Sequence, residues 1–124
     1  MLSDLVVLVV EPDTFIGLDM ILEIESLGGK AVGPVFSLAE AHGAIAEAPV
    51  AAALINADID QDVCELCARL EKMSVPHVVH SSSGAPPWGM TNAPHFTRPV
   101  DARMILHSLA CEVTRLAAVQ PRRA

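Results

Sequence analysis

Two cysteines and two histidines come nearest to a reactive pattern in this chain. Cys64-Glu65-Leu66-Cys67 followed by His77-Val78-Val79-His80 offers the two thiolates and two imidazoles of a tetrahedral zinc site. Residues three apart on a strand point to opposite faces, so the imidazoles diverge if His77–His80 is extended. Cys67 also falls on the apolar side of a helical pattern, where cysteine packs as a small hydrophobe. A redox-active dithiol belongs at a helix start just after a strand, where the dipole lowers the thiol pKa. Here the pair lies inside the helix, after Asp62, whose negative charge works the other way. Ser81-Ser82-Ser83-Gly84 lacks the Gly-x-Ser-x-Gly elbow and an evident base. Neither a P-loop nor a Gly-x-Gly-x-x-Gly run is present. No catalytic residue, metal or cofactor is therefore expected. What remains is a scatter of single polar residues at the ends of apolar runs: Glu11 and Asp13, Asn56, Ser81 and Arg98. Their chemistry depends on which of them the fold brings together.

Short apolar runs alternate with helical patterns along the whole chain, the signature of βα repetition and a parallel sheet. Leu5 to Val10 and Val50 to Ile55 are apolar without alternation, as central strands covered on both faces must be. Asp13 or Thr14 can cap a helix carrying Phe15, Leu18 and Leu22, which Gly28-Gly29 ends. Ala31 to Val35 contains Gly33 and Pro34, which points to a sheet edge. Ser37-Leu38-Ala39-Glu40 is a capping box in which serine and glutamate reach each other's free amides, and it opens a helix to about Ala48. Val63, Leu66, Cys67 and Leu70 mark an amphipathic helix over Asp62 to Met73. His77 to His80 is a short strand, and Ser81 to Pro94, rich in Ser, Gly and Pro, reads as loop. His95 to Thr97 is a minimal fifth strand. Asp101 can then cap a last helix with the stripe Ile105, Leu109, Val113 and Leu116.

Five strands with right-handed crossovers form a doubly wound sheet. In the order 2-1-3-4-5, its switch-point crevice lies between the carboxyl ends of strands one and three. That crevice collects Glu11, Pro12, Asp13 and Asn56.

With 124 residues, the chain is expected to form one domain over 1–119, with 120–124 fraying. Its 52% apolar and only 3% aromatic content suits a layered α/β protein. The net charge of −7, with basic residues scattered except Arg122 and Arg123, lacks the positive field that nucleic acid requires. The apolar run Leu5 to Val10 is far short of the roughly 20 residues that span a bilayer, so no membrane association is expected. The start shows no basic signal-peptide region, and three cysteines form no even framework, both consistent with a cytoplasmic location.

Val7-Leu8-Val9-Val10-Glu11, Leu54-Ile55-Asn56, Pro76 through Ser81, and Thr97-Arg98-Pro99-Val100, in that order, resemble the receiver domain of two-component response regulators. The resemblance covers Leu5 to about Leu116. It is similar to stand-alone receivers with a Val-Gly-Pro second strand and a shortened or absent fourth helix, in the flavodoxin-like, CheY-like class. The family carries two acids after strand one, a phosphoacceptor Asp ending strand three, Ser or Thr after strand four and Lys-Pro after strand five. Glu11 keeps the first acid and Ser81 the hydroxyl. Pro12 stands at the second acid, which helps hold magnesium, Asn56 at the phosphoacceptor, and Arg98 at the lysine before Pro99.

The resemblance thus implies an atypical receiver, a pseudo-receiver, that acts by protein contact without phosphorylation at the usual site. A carboxamide has no charged oxygen to act as nucleophile. With acids missing at 12 and 56, Glu11 alone is a poor magnesium anchor. Asp13 is one residue past the matching acid and equally suits a helix cap. Arg98 could pair with Glu11 or the Asn56 carbonyl and hold the pocket in one conformation, or stand solvated at the surface. Asp58 is a rival phosphoacceptor, although the family uses a backbone carbonyl there. His95 occupies the position of a Tyr or Phe that changes rotamer on activation; it is either a titrating switch or an exposed strand residue. Trp88 is either a partner anchor or a lid. The implied partner is a histidine kinase, another response regulator or an output protein, with a homodimer as a further alternative. The competing reading is a doubly wound domain binding a small ligand at the switch-point crevice.

Overall fold

The computed structural model describes residues 2–82 and 92–119. Its elements alternate: β1 (Val6–Val10), α1 (Thr14–Ser26), β2 (Lys30–Val35), α2 (Leu38–Glu47), β3 (Ala52–Asn56), a 3-10 turn (Ala57–Ile59), α3 (Val63–Lys72), β4 (His77–Ser81), β5 (His95–Thr97) and α4 (Ala102–Val119). All pairings are parallel, in the order β2-β1-β3-β4-β5. β2 is an edge strand, as its proline requires.

Alternation along each strand divides the core in two. Leu8 and Val10 of β1, Ala53 and Ile55 of β3 and Val79 pack with α2 and α3 through Ile45, Leu66 and Leu70. Val7, Val9, Leu54 and Val78 point the other way, against Met20 and Ile24 of α1 and Ile105, Leu106 and Leu109 of α4. Each such side chain contributes about 1.5–3 kcal/mol on leaving water. The buried face of α3 is the expected one, Val63, Leu66, Cys67 and Leu70.

Two glycines set the approach of β2 and α1 to β1. Gly33 has φ +113°, and a Cβ there would lie 2.7 Å from the Val9 carbonyl oxygen and the Val35 nitrogen. It sits at the register shift between Leu8 and Val10, after which the Glu11 amide donates to the Val35 carbonyl at 3.0 Å. A Cβ on Gly17 would meet the Pro34 ring at 2.9 Å, so glycine lets α1 close onto β2.

That close approach decides which face of α1 the sheet takes. Phe15, Leu18 and Leu22, the residues that marked this helix in the sequence, are 82%, 48% and 64% exposed. Apolar residues stand on more than one side of the helix, and the sheet takes the face bearing Gly17, Met20 and Ile24. The capping box differs from the sequence reading by one residue. Ser37 Oγ accepts from the Glu40 amide at 3.1 Å, but Glu40 Oε2 accepts from Phe36 rather than Ser37. β4 runs one residue further than expected, to Ser81. Asp101 caps α4 by accepting from the Arg103 amide at 2.9 Å, and Ile105 and Leu109 are buried as expected. Trp88, the centre of the Ser81 to Pro94 loop with its expected short or absent fourth helix, and the 120–124 tail lie outside the described residues.

Candidate functional site

β1 and β3 are neighbours, yet their following helices pack on opposite faces of the sheet, so the chain parts at their carboxyl ends. Glu11 leaves β1 there and Asn56 ends β3. Register places His80 of β4 directly beside Asn56. Arg98 follows β5, with its amide donating to the Ser81 carbonyl at 2.8 Å.

These side chains close a circuit. Glu11 Oε2 accepts from Asn56 Nδ2 at 2.8 Å and from the Asp13 amide at 3.0 Å. Asn56 Oδ1 accepts from the Asp58 amide at 2.9 Å. The Asp58 carboxylate takes Arg98 Nη2 at 2.6 Å, and Arg98 Nη1 lies 3.0 Å from His80 Nδ1. His80 Nε2 faces Glu11 Oε1 at 3.3 Å. A guanidinium can only donate, so His80 Nδ1 is the acceptor and the proton of the neutral ring sits on Nε2, toward Glu11. That last contact is electrostatic rather than a formed hydrogen bond, because Oε1 has no hydrogen-bond partner.

Burial sets the strength of these contacts. Glu11 is 0% and Asn56 2% exposed, and His80 is equally enclosed. Burial pushes the Glu11 carboxyl up, but the contacts from His80, Asn56 and the Asp13 amide outweigh it and hold the group below its usual range. Asp58 lies nearer solvent; burial raises it, and Ser82 and Arg98 bring it below the usual range. The Ser82 amide donates to Asp58 Oδ2 at 2.9 Å. Beside the circuit, Ser81 Oγ lies 2.8 Å from His95 Nε2. Burial lowers the His95 pKa and His80 lowers it further, against the opposing pull of Asp58.

No family model matches the sequence, and no curated protein does either. Solved structures do. A CheY-like response regulator receiver domain protein from Methanospirillum hungatei JF-1 is similar with TM-score 0.82 and 16% identity, covering 95% of this chain and 100% of that one. An orphan response regulator of H. pylori gives TM-score 0.75 and 13% identity, covering 90% and 98%. The receiver domain of a Francisella response regulator gives 0.75 and 17%, again covering 90% and 98%. The fold is that of a receiver domain.

Within this receiver fold the sequence reading is met in part. Glu11, Asn56 and Arg98 do converge on one crevice, and Ser81 borders it through His95. Pro12 and Pro99 are exposed at its mouth and offer no side-chain oxygen. Asp13 is the cap of α1, its carboxylate accepting from the Phe15 and Ile16 amides. Arg98 pairs with neither Glu11 nor the Asn56 carbonyl, as had been expected, but with Asp58 and His80. The Asn56 oxygen is already taken by the Asp58 amide, and His80 stands between Arg98 and Glu11. His95 is half-buried rather than solvated. His80 is the residue that sequence reasoning missed, having been weighed only as a zinc ligand. The signal for it was positional, since aligning the carboxyl ends of the third and fourth strands puts it next to Asn56.

Proposed function

We propose that this chain is an atypical response-regulator receiver, a pseudo-receiver, that works by protein–protein recognition and does not accept phosphate at Asn56. One observation carries the reading: both ends of the Asn56 amide are engaged inside the protein, Nδ2 on Glu11 and Oδ1 on the Asp58 amide. A neutral carboxamide is not a nucleophile for phosphoryl transfer.

The crevice also does not fit the magnesium that receiver chemistry uses. Magnesium asks for octahedral oxygen donors, with one or two carboxylates. Glu11 is the one buried carboxylate among the described residues, and its Oε2 already accepts two hydrogen bonds. The other group aimed at Glu11 is the N–H of His80, which opposes a cation. Asp58 is committed to Arg98 and Ser82. The circuit therefore holds the crevice in one arrangement, and the partner, a kinase, another receiver or an output protein, meets a constitutive surface.

Incubation with acetyl phosphate or beryllofluoride and magnesium, followed by intact-mass and amide NMR measurements, tests this. The expected result is no mass gain and no shift at the carboxyl ends of β1 and β3. A labelled acyl phosphate on the unmodified protein overturns it, and loss of that label in Asp58→Asn moves the acceptor to Asp58. A pull-down comparing wild type with a Pro12→Asp, Asn56→Asp double variant then identifies which partners prefer the locked form.

A further inference from the structure

Cys64 and Cys67 have no part in the crevice, and the structure places them differently from the sequence reading. α3 begins at Val63, so Cys64 is its second residue and the pair spans the first turn rather than the helix interior. Residues three apart on a helix have Cα atoms about 5 Å apart, inside the range of roughly 4.4–6.8 Å that a disulfide accepts.

The local backbone favours the same closure. The Val63 amide donates to the Asp60 carbonyl at 3.3 Å and the Glu65 amide to the Asp62 carbonyl at 3.0 Å. Both bonds run from i to i−3, the tight 3-10 pattern in which side chains three apart eclipse one another. Asp62 makes no side-chain cap bond, so its carboxylate does not pin that turn. At about 100° per residue the two cysteines stand about 60° apart around α3. Cys67 is 0% exposed, in the core with Leu66 and Leu70, and Cys64 is half-buried at the edge of that face.

Burial assigns the roles. It holds the Cys67 thiol in its neutral form, with Glu71 and the nearby Cys64 adding to the effect, and the thiolate is the nucleophile. Cys64 is therefore the sulfur that a reagent meets first. Cys111 cannot compete as its partner within one chain, because α3 and α4 cover opposite faces of the sheet.

We propose that Cys64 and Cys67 form a reversible thiol–disulfide site oxidised by a low-molecular-weight disulfide. The Cys64 thiol gives its proton to water and its sulfur attacks the reagent, whose S–S bond breaks and releases one half as a thiol. Cys67 loses its proton as the first turn opens, attacks the Cys64 sulfur and expels the second half. Two protein thiols become one disulfide, and the reagent is reduced to two thiols. The closed loop is too short to constrain the unfolded chain strongly, so the bond acts as a mark rather than a staple.

The full chain is incubated with cystamine, a cationic disulfide suited to the acids at 60, 62 and 65, then digested with trypsin without reduction and weighed. The peptide Ala31 to Arg69 is expected to lose two hydrogens, to carry no adduct and to regain both on treatment with dithiothreitol. Cys67→Ala should retain a cysteamine adduct on Cys64, Cys64→Ser should leave Cys67 as a free thiol, and Cys111→Ser should not alter the bond. Far-UV circular dichroism checks that each variant is folded, and the mass of the wild-type peptide decides the matter whether or not they are. A lasting adduct on Cys64 of the wild type, an unreacted Cys64, a disulfide joining two copies, or equal modification of Cys67 in Cys64→Ser each overturns the proposal.

Discussion

Arg98→Ala removes the one group that ties the outer carboxylate to the buried part of the circuit. Two losses combine. The ion pair with Asp58 joins side chains 22% and 33% exposed, so its share is about 0.2–1 kcal/mol. The larger share lies at His80, whose Nδ1 is enclosed and would lose its donor, at about 1–3 kcal/mol for an unsatisfied buried acceptor. Water entering the space left by the guanidinium trims this, and the net expectation is about 2 kcal/mol. For a domain of this size that lowers the melting temperature by roughly 6–10 °C. Urea unfolding followed by far-UV circular dichroism at pH 7 measures it, with the midpoint falling and the m-value unchanged. Arg98→Lys separates the two shares, because one ammonium can reach Asp58 but cannot bridge to His80 as the fork does; it should recover less than half of the loss. Asp58→Ala should cost no more than half as much as Arg98→Ala. A loss below about 0.5 kcal/mol in Arg98→Ala would show that the circuit contributes nothing and that the arginine is a surface charge.

Glu11→Gln should destabilise the protein at pH 7 by about 1.5–3 kcal/mol, because Asn56 and the Asp13 amide lose a charged acceptor. The folded Glu11 pKa is depressed, so its stabilisation is complete above the unfolded carboxylate value of about 4.3 and lost as pH falls through the folded value; the variant should show a shallower acid limb in urea midpoints measured from pH 7 to pH 3. Burial, with Glu71 and Cys64 adding, pushes the Cys67 thiol up to about 12, whereas Cys111 is exposed. Brief iodoacetamide treatment of the native protein should therefore label Cys111 and spare Cys67 in peptide mass spectra, and equal labelling would contradict the burial of α3. Asn56→Asp should lower stability at pH 7 by about 2 kcal/mol and recover toward pH 5, because one of two facing carboxylates must take a proton; a variant as stable as wild type at neutral pH refutes this.

The architecture was legible because its signals are redundant. The unalternating runs at β1 and β3, the proline in β2 and the stripe of α3 each state independently where an element lies relative to the sheet. The packed face of α1 was not legible, because apolar residues stand on both its exposed and its buried sides and periodicity alone does not choose between them. The choice came from Gly17 against Pro34, a contact between residues seventeen apart that only the assembled sheet creates. The crevice was legible as a set of residues but not as a set of partners. Glu11, Asn56 and Arg98 end elements and so had to converge, while the pairing of Arg98 depended on His80. A histidine inside a strand carries no sequence mark that separates a core residue from a network residue.

The three departures of the crevice from the receiver pattern, Pro12, Asn56 and Arg98, are coupled by charge. As found, the circuit holds two carboxylates, Glu11 and Asp58, one guanidinium and two neutral groups, so its formal charge is −1 with the histidine neutral. An aspartate at 56 would raise that to −2 and place two carboxylates about 3 Å apart in a buried site, a repulsion of several kcal/mol at an effective dielectric near 20. A divalent cation offsets such a charge in an acid-rich crevice, but Pro12 withholds a ligand, and in the protein as it stands Asn56 Nδ2 and the Asp13 amide occupy Glu11 Oε2. Under the proposed pseudo-receiver reading, the amide at 56 offers no nucleophile, and its Nδ2 gives Glu11 Oε2 a donor. On this account single reversion at Asn56 makes the protein worse rather than active, and only a variant that also restores an acid at position 12 should gain stability from added magnesium.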